Sequence, residues 1–344
     1  MRRVLFILKK ASYNYGSGYN VLSSGLAQSV RFCSEELTNA GIENKSVIVV
    51  DNNDIDREVA QYRPTDVIIE ALWVVPEKFD VLKRLHPSVR WIVHIHSELP
   101  FLALEGTAMS WIFGYVYRDV LIAVNSLRSV RDLRSILGVG YDDLVLYLPN
   151  CYTEFPEDSE RHTGDDEVVN VGCFGAIRPL KNQLIQAVAS IQFADQVDRR
   201  LRFHVNKNRI EDNGEPIFRN IVDLFSNLDP EQYRLVVHPW MRRYDFLHVL
   251  RKIDVGLQVS LTETFNITAA DMVAHDVPVV VSPEIAWVSS LFKAEATSTR
   301  DIVSKMKLAW HMRKFGLQDI NKRRLLRFVQ ESARIWVDTF SDLD

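Results

Sequence analysis

The sequence predicts an α/β protein made of two similar, doubly wound units in tandem, and three observations carry that prediction. Short β-branched runs alternate with amphipathic stretches along the chain, the pattern of parallel strands joined by helices. The 344 residues exceed one typical domain and suit two, each able to bury its own core. Between the two sets of strands, the stretch 149–166 holds two prolines, many acidic residues and Gly164, with little periodicity, so it reads as a linker.

In the first unit, strands are expected at 4–8, 46–50, 67–69, 91–95, 120–124 and 144–148, separated by helical segments such as 22–40 and 126–137. In the second they are expected at 168–173, 201–205, 234–237, 255–259 and 277–281, with helices at about 183–193, 217–227 and 244–252. The segment 298–340 is long, basic and helical, with Leu325, Phe328, Val329, Ile335 and Trp336 recurring at helical spacing, and is expected to pack rather than catalyse. The expected boundaries are a first domain over 1–149, a linker over 150–166, a second domain over 167–325 and a terminal helix over 326–344 that packs back towards the first domain. Two Rossmann-like halves in tandem are expected to leave a central cleft, the usual place for a small-molecule site.

Composition narrows the function classes. With 47% hydrophobic and 25% charged residues the chain is an ordinary globular one, and no apolar run approaches a membrane span. The apolar run 4–8 is too short for a signal-peptide core, so a cytoplasmic protein with no integral membrane segment is expected. Three cysteines, Cys33, Cys151 and Cys173, lack metal-ligand spacing and read as buried thiols. A net charge of −4 offers no general attraction to nucleic acid, although local basic faces remain open.

Two stretches carry chemistry. Ser260-Leu261-Thr262-Glu263-Thr264-Phe265-Asn266-Ile267-Thr268 reads as a strand end, a polar turn and a helix start. Asn266 can cap that helix, and Asp271 lies eight residues beyond Glu263. Such a turn opens at the carboxyl edge of a parallel sheet, where the helix start offers backbone N–H groups to an anion. Two carboxylates beside a phosphate cradle suit a ligand with both hydroxyls and phosphates. The second stretch, Gly172-Cys173-Phe174-Gly175-Ala176-Ile177-Arg178-Pro179-Leu180-Lys181-Asn182, lets backbone approach a ligand at its small residues and supplies two cations for a diphosphate.

Together these residues resemble the GT-B glycosyltransferases of the large retaining family 4 type (glycosyl transferases group 1). That family opens its second domain with a Gly-Arg-…-Lys turn and closes the donor site with Glu-x7-Glu followed by Met-Ala-x-Gly-x-Pro-Val-Val. Gly175, Lys181 and Glu263 match, and Asp271-Met272-Val273-Ala274-His275-Asp276-Val277-Pro278-Val279-Val280 follows in register. The chain departs from the pattern at Ala176 (usually Arg), Asp271 (usually Glu) and Asp276 (usually Gly). The resemblance implies a GT-B fold with two Rossmann-like domains facing a central cleft and a C-terminal helical segment.

It also implies roles. Glu263 would contact the hydroxyls of the transferred sugar, and Asn266, Ile267 and Thr268 would donate to the phosphates. Asp271 would hold the ribose, while Arg178 and Lys181 would stabilise the leaving diphosphate, with Arg178 standing in for the arginine absent at 176. Trp240 and Met241 fall where the family places its nucleobase-contacting loop, although core packing also explains Trp240.

In the first half, Gly16 and Gly18, flanked by Tyr15, form a loop that could approach the donor phosphates and position an acceptor; a flexible connection is the plain alternative. His94 and His96 share a face of their strand, and His96 falls at its carboxyl end, where the resembling enzymes often hold a histidine near the reacting sugar. Glu98 could orient it or bind an acceptor hydroxyl. Asp54-Ile55-Asp56 matches a metal-binding Asp-x-Asp pattern but sits in a polar stretch without a second ligand cluster, and reads as a solvated loop. No metal site is assigned, and the cations of the Gly175 turn can do a metal's electrostatic work.

The sequence thus points to metal-independent, retaining transfer of a sugar from a nucleotide sugar (UDP- or GDP-linked, with no tightly bound cofactor) to an acceptor hydroxyl. The acceptor is open among a glycan, a small molecule and a hydroxylated base in modified DNA. The clusters Arg128/Arg131/Arg134, Arg242/Arg243 and Lys322/Arg323/Arg324 suit DNA or, more simply, solvated helix faces. A catalytically silent GT-B-like protein that binds nucleotide or sugar, or scaffolds a partner, is the alternative.

Overall fold

The computed structural model describes residues 2–10, 25–156, 167–207, 209–211, 213–312, 316 and 319–341. Among these, one compact unit takes in 2–10, 25–153 and 329–341, and the other runs from 154 to 328.

The first unit is a six-stranded sheet in the order β2-β1-β3-β4-β5-β6, parallel throughout. In chain order its elements are β1 (Arg3–Lys9), α1 (Gly25–Asn39), β2 (Glu43–Val49), α2 (Asp54–Tyr62), β3 (Asp66–Glu70), α3 (Lys78–Leu85), β4 (Arg90–Ile95), α4 (Leu99–Leu102), α5 (Ala108–Val116), β5 (Leu121–Val124), α6 (Leu127–Leu137) and β6 (Val145–Tyr147). The central strands β1, β3 and β4 are almost wholly buried, because helices cover both faces of a parallel sheet. Edge strand β2 is largely exposed and begins three residues before the expected 46, at Glu43, which pairs in register with Arg3. Its apolar signal covers only Val47-Ile48-Val49, while backbone pairing extends through charged residues that carry none.

The second unit is a five-stranded parallel sheet in the order β11-β10-β7-β8-β9. Its elements are β7 (Val168–Cys173), α7 (Gln183–Gln196), β8 (Arg200–Asn206), α8 (Glu215–Ser226), β9 (Tyr233–His238), α9 (Arg243–Leu250), β10 (Val255–Gln258), α10 (Ile267–Ala274), β11 (Val279–Val281) and α11 (Thr299–Met312). Strands β8 and β9 extend the sheet to one side of β7 and β10 lies on the other, so the order reverses between β7 and β10. Loops leaving those two strands at their carboxyl ends flank the switch point at which open α/β sheets bind ligands.

The C-terminal segment is two helices rather than one. Helix α11 ends at Met312 and α12 spans Asp319–Phe340, with Gly316 between them at φ 69, a left-handed conformation that glycine adopts without steric cost. Leu325, Trp336 and Phe340 are fully buried on one face of α12. Trp336 donates from Nε1 to the Pro149 carbonyl at 2.6 Å and lies 5.8 Å from the rings of both Phe6 and His94. Of the stretch expected to link the units, residues 157–166 lie outside the described residues, whereas Cys151 and Tyr152 are buried, Tyr152 against Phe32 at 5.0 Å. All three cysteines are buried free thiols. No described helix is long and apolar enough to cross a membrane.

Candidate active site

The turn after β7 is shaped by one residue. Gly175 stands at φ 121, where other residues are strained, and nothing lies within 4 Å of where a Cβ would sit, so the backbone here is open to a ligand. Its N–H donates to Asn206 Oδ1 at 3.0 Å, from the end of β8. Beyond it, Arg178 leads into a short 3-10 turn over Pro179–Lys181, and Asn182, itself left-handed, starts α7. Three buried amides brace the turn. Asn182 Nδ2 donates to the carbonyls of Val259 (3.0 Å) and Ala296 (2.7 Å), and Gln183 Nε2 to that of Ala176 (2.8 Å). Gln186 Oε1 accepts from Val259 N–H at 2.9 Å, tying the turn to the end of β10.

The turn after β10 lies directly against it. Leu261 N–H donates to the Leu180 carbonyl at 2.8 Å. Lys181 Nζ pairs with Glu263 Oε1, which also accepts from Ser260 Oγ at 3.0 Å. Burial, reinforced by Arg178 and Arg209, holds the Lys181 ammonium below the usual lysine value against the pull of Glu263. Arg178 and Arg209 meet on Glu211, at 3.6 and 2.6 Å, and the Arg209 guanidinium lies 4.9 Å from the ring of Trp240. Trp240 and Met241 are half-buried after β9, so Trp240 is not a core residue.

Asn266 caps α10 as its sequence position predicts, with Oδ1 accepting from Ala269 N–H at 2.8 Å and Nδ2 donating to Gln258 at 2.9 Å. Its side chain is therefore engaged within the turn, and the groups that could meet an anion at this helix start are the backbone N–H groups of Ile267 and Thr268, which have no carbonyl of their own turn to bond. Met272 lies over Gly256, where a Cβ would stand 2.2 Å from Sδ, so α10 sits close on β10 and its start is fixed at the sheet edge.

The three departures from the resembling motif have structural counterparts. Ala176 is buried, and the next residue, Ile177, donates its N–H to the Arg209 carbonyl at 2.9 Å. Asp276 adopts φ 59, the left-handed conformation for which glycine is usual, and pairs with Lys322 at 3.0 Å. Asp271 is 1% exposed and held by Arg243 of α9 through an end-on fork: Nη1 to Oδ2 at 3.0 Å and Nη2 to Oδ1 at 2.5 Å. Arg243 also donates from Nε to Glu154 Oε2 at 2.5 Å.

In the first unit, His94 and His96 share a face with ring centroids 4.1 Å apart. His96 Nε2 lies 2.6 Å from Glu70 Oε2 at the end of β3, and His94 Nε2 lies 3.0 Å from the Leu148 carbonyl. Burial, then His94, holds His96 below the ordinary histidine value against the pull of Glu70. Burial alone would raise the Glu70 carboxyl, but the two histidines outweigh it and hold it at about 2. Glu98 is not the group that orients His96: it is buried and accepts from Ser129 Oγ at 2.7 Å and Arg128 Nε at 3.3 Å. Tyr15, Gly16 and Gly18 lie outside the described residues.

Glu70, His94 and His96 each bring a ligand atom within 4.8 Å of the others and could hold a divalent ion. As they stand His96 and Glu70 are hydrogen-bonded, since 2.6 Å between them is closer than the roughly 3.3 Å between ligands of a tetrahedral ion with bonds of about 2.0 Å. Asp54 and Asp56 lie in the first turn of α2, not in a loop. Asp54 bonds Val50 N–H at 3.0 Å, and Asp56 meets His86 at 2.7 Å. The basic clusters are partly tied down rather than displayed: Arg128 on Glu98, Arg134 on the Val145 carbonyl, Arg243 on Asp271, Lys322 on Asp276 and Arg324 on the Trp287 carbonyl.

Sequence reasoning missed Glu70, Glu154, Arg209 and Arg243. Glu70 had a readable signal, a carboxylate directly after the apolar run Val67-Ile68-Ile69 at the carboxyl end of its strand; the other three carry none beyond their charge.

No family model matches the chain, and no curated protein matches it in sequence. Solved structures do match along its whole length. The sucrose-phosphate synthase of Thermosynechococcus elongatus superposes with a TM-score of 0.73 at 12% identity, covering 99% of this chain and 98% of that one. An α,α-trehalose-phosphate synthase (UDP-forming) of Burkholderia vietnamiensis gives 0.66 at 12%, over 98% and 96%. An E. coli structure described as trehalose-6-phosphate bound with UDP-2-fluoro glucose gives 0.70 at 12%, over 98% of each chain. With two parallel-sheet Rossmann-like units and a C-terminal helical segment, this chain has the GT-B glycosyltransferase fold.

Proposed function

We propose that the protein is a nucleotide-sugar-dependent glycosyltransferase acting with retention. The observation that carries the reading is the Lys181–Glu263 pair at the switch point of the second sheet, between the open Gly175 turn and the start of α10. That setting offers a diphosphate two backbone N–H groups at a helix start and the cations Lys181 and Arg178, and offers a sugar the Glu263 carboxylate. The names of the similar structures, a sucrose-phosphate synthase, a UDP-forming synthase and a complex with a UDP-sugar analogue, support a UDP-sugar ahead of a GDP-sugar.

In the proposed reaction the bond from the anomeric carbon to the diphosphate oxygen breaks, and the electron pair leaves with the nucleoside diphosphate. Lys181, Arg178 and the α10 start stabilise that charge. An acceptor hydroxyl oxygen bonds the anomeric carbon on the face just vacated, and its proton passes to the departing diphosphate. Glu263 exchanges its contact with Lys181 for the sugar hydroxyls, Trp240 and Met241 take the base, and His96, oriented by Glu70, serves the reacting sugar. Glu98 serves the acceptor, which is a glycan, a small molecule or a modified DNA base, and Tyr15, Gly16 and Gly18 keep the acceptor and phosphate roles that the resemblance implies.

A second reading, a silent nucleotide- or sugar-binding module, draws support from Asp271, whose two oxygens are already engaged by Arg243. Incubation with UDP- and GDP-sugars and a panel of the three acceptor classes separates the two. Transfer abolished by Glu263→Ala supports the enzyme, and binding without turnover on any acceptor supports the module.

A further inference from the structure

We propose that Glu70, His94 and His96 form a binding site for a divalent transition ion of the zinc class at the carboxyl edge of the first sheet. The Glu70 carboxylate, His94 Nδ1 and His96 Nε2 are its protein ligands, and water is the fourth. Among the described residues this is the one group of three histidine, cysteine or acidic side chains whose ligand atoms all lie within 4.8 Å of one another. Two imidazole nitrogens and a carboxylate suit zinc with one position left open, and do not suit magnesium or calcium, which take oxygens.

His94 Nδ1 is the atom that points to a ligand. His94 is 2% exposed, and its Nε2 lies 3.0 Å from the Leu148 carbonyl, which can only accept, so Nε2 bears the ring hydrogen. The neutral ring then keeps its lone pair on Nδ1. That atom is buried without a hydrogen-bond partner, although Glu70 Oε2 lies 3.3 Å away. A lone pair set against a carboxylate oxygen is repelled unless a cation lies between them. Their separation is also that of two ligand atoms on a tetrahedral ion, roughly 3.3 Å for bonds of about 2.0 Å. A backbone carbonyl on the far nitrogen is the support that metal-bound imidazoles commonly have, because it fixes the tautomer and the ring orientation.

Two adjacent strands hold the ligands. Glu70 and His94 are register partners on β3 and β4, and the strand period of two brings His96 to the face of His94. Just beyond, Ala71 N–H donates to the His94 carbonyl at 2.9 Å and locks the strands together. On binding, His96 Nε2 exchanges its 2.6 Å hydrogen bond to Glu70 for the ion, its hydrogen passing by way of solvent to Nδ1. That pair then opens by roughly 0.7 Å to the spacing of ligands. Glu70 and His94 are buried and His96 is 17% exposed, so water and the ion arrive past His96. His96 is also the residue assigned above to the reacting sugar, so a bound ion blocks transfer rather than assisting it. That consequence rests on the proposed transferase reading; the site itself does not.

The test titrates zinc into the metal-free full chain by calorimetry, for the wild type, His94→Gln and Glu70→Gln. The amide introduced by His94→Gln can still donate to the Leu148 carbonyl but has no counterpart of Nδ1. One zinc ion per chain should bind the wild type and resist excess magnesium. Each variant should bind it about a hundredfold or more weakly, since losing a ligand costs at least what losing a ligand's support does. Zinc anomalous diffraction from the wild-type chain should place the ion among the three side chains, and it decides the matter where a variant folds poorly. No saturable binding to the wild type, unchanged affinity in either folded variant, displacement by magnesium, or an ion located elsewhere overturns the site. The donor site stands or falls separately, on nucleotide-sugar turnover.

Discussion

Lys181 and Glu263 form a pair that is mostly buried, with side chains 15% and 8% exposed, and a double-mutant cycle should expose its coupling. Lys181→Met leaves the Glu263 carboxylate with the Ser260 hydroxyl and no cation; Glu263→Gln leaves the ammonium beside Arg178 and Arg209. Breaking a buried pair from one side costs about 3 kcal/mol, because the surviving charge stays desolvated. Two unit charges about 4 Å apart attract by about 4 kcal/mol at an effective dielectric near 20, which sets the scale of the coupling. Each single variant should therefore lose about 3 kcal/mol and the double variant little more than one of them, a coupling of about 2 kcal/mol or more. Urea unfolding followed by tryptophan fluorescence measures it, using the transition that either substitution displaces. Additivity of the two single changes to within about 0.5 kcal/mol would mean that the two groups do not interact, and the donor site would lose its centre.

Other outcomes follow from the same geometry. Gly175→Ala forces a side chain onto φ 121 and should cost about 1–3 kcal/mol by calorimetry while weakening nucleoside diphosphate binding, because the new methyl occupies the ligand's approach. Asp271→Ala strips Arg243 of its buried partner and should cost about 3 kcal/mol in urea, reduced where Glu154 takes up the charge. The Glu70 carboxyl is held at about 2 against an ordinary value of 4.5, so the folded state binds its proton less readily than the unfolded chain does. Its stabilisation is complete above pH 4.5 and is lost as pH falls toward 2, and Glu70→Gln should flatten the acid limb of an unfolding curve across that window.

The parts of this molecule legible in the sequence were those whose signal is local. Strands buried on both faces announce themselves as apolar runs, unbroken in β1 and interrupted by Asn170 in β7. The Asn266 cap and the Gly175 turn likewise follow from the residues on either side. Edge strand β2 starts ahead of its apolar run because half of it pairs through backbone alone, and α2 reads as a loop because its first turn is acidic, which a helix N-terminus favours. The interruption at Gly316 was hidden by apolar spacing that continues on both sides of it.

Pairings across sequence were the illegible part. Arg243 meets acids 28 residues ahead of it and 89 behind, and His96 meets Glu70 at a separation of 26. Nothing in the chain marks these residues as partners until the sheet order brings the strand ends together. The aspartate at 271, a departure from the usual glutamate in the sequence, is in place one half of a buried ion pair with Arg243.

The most direct measurement is sugar transfer itself. The full chain is incubated with UDP- and GDP-sugars and the three acceptor classes, nucleoside diphosphate release is quantified, and the anomeric configuration of the product is read by NMR for wild type and Glu263→Ala. The account predicts release coupled to a product that keeps the donor's configuration, falling by about a hundredfold or more in the variant. Turnover indifferent to Glu263, or an inverted product, would contradict it.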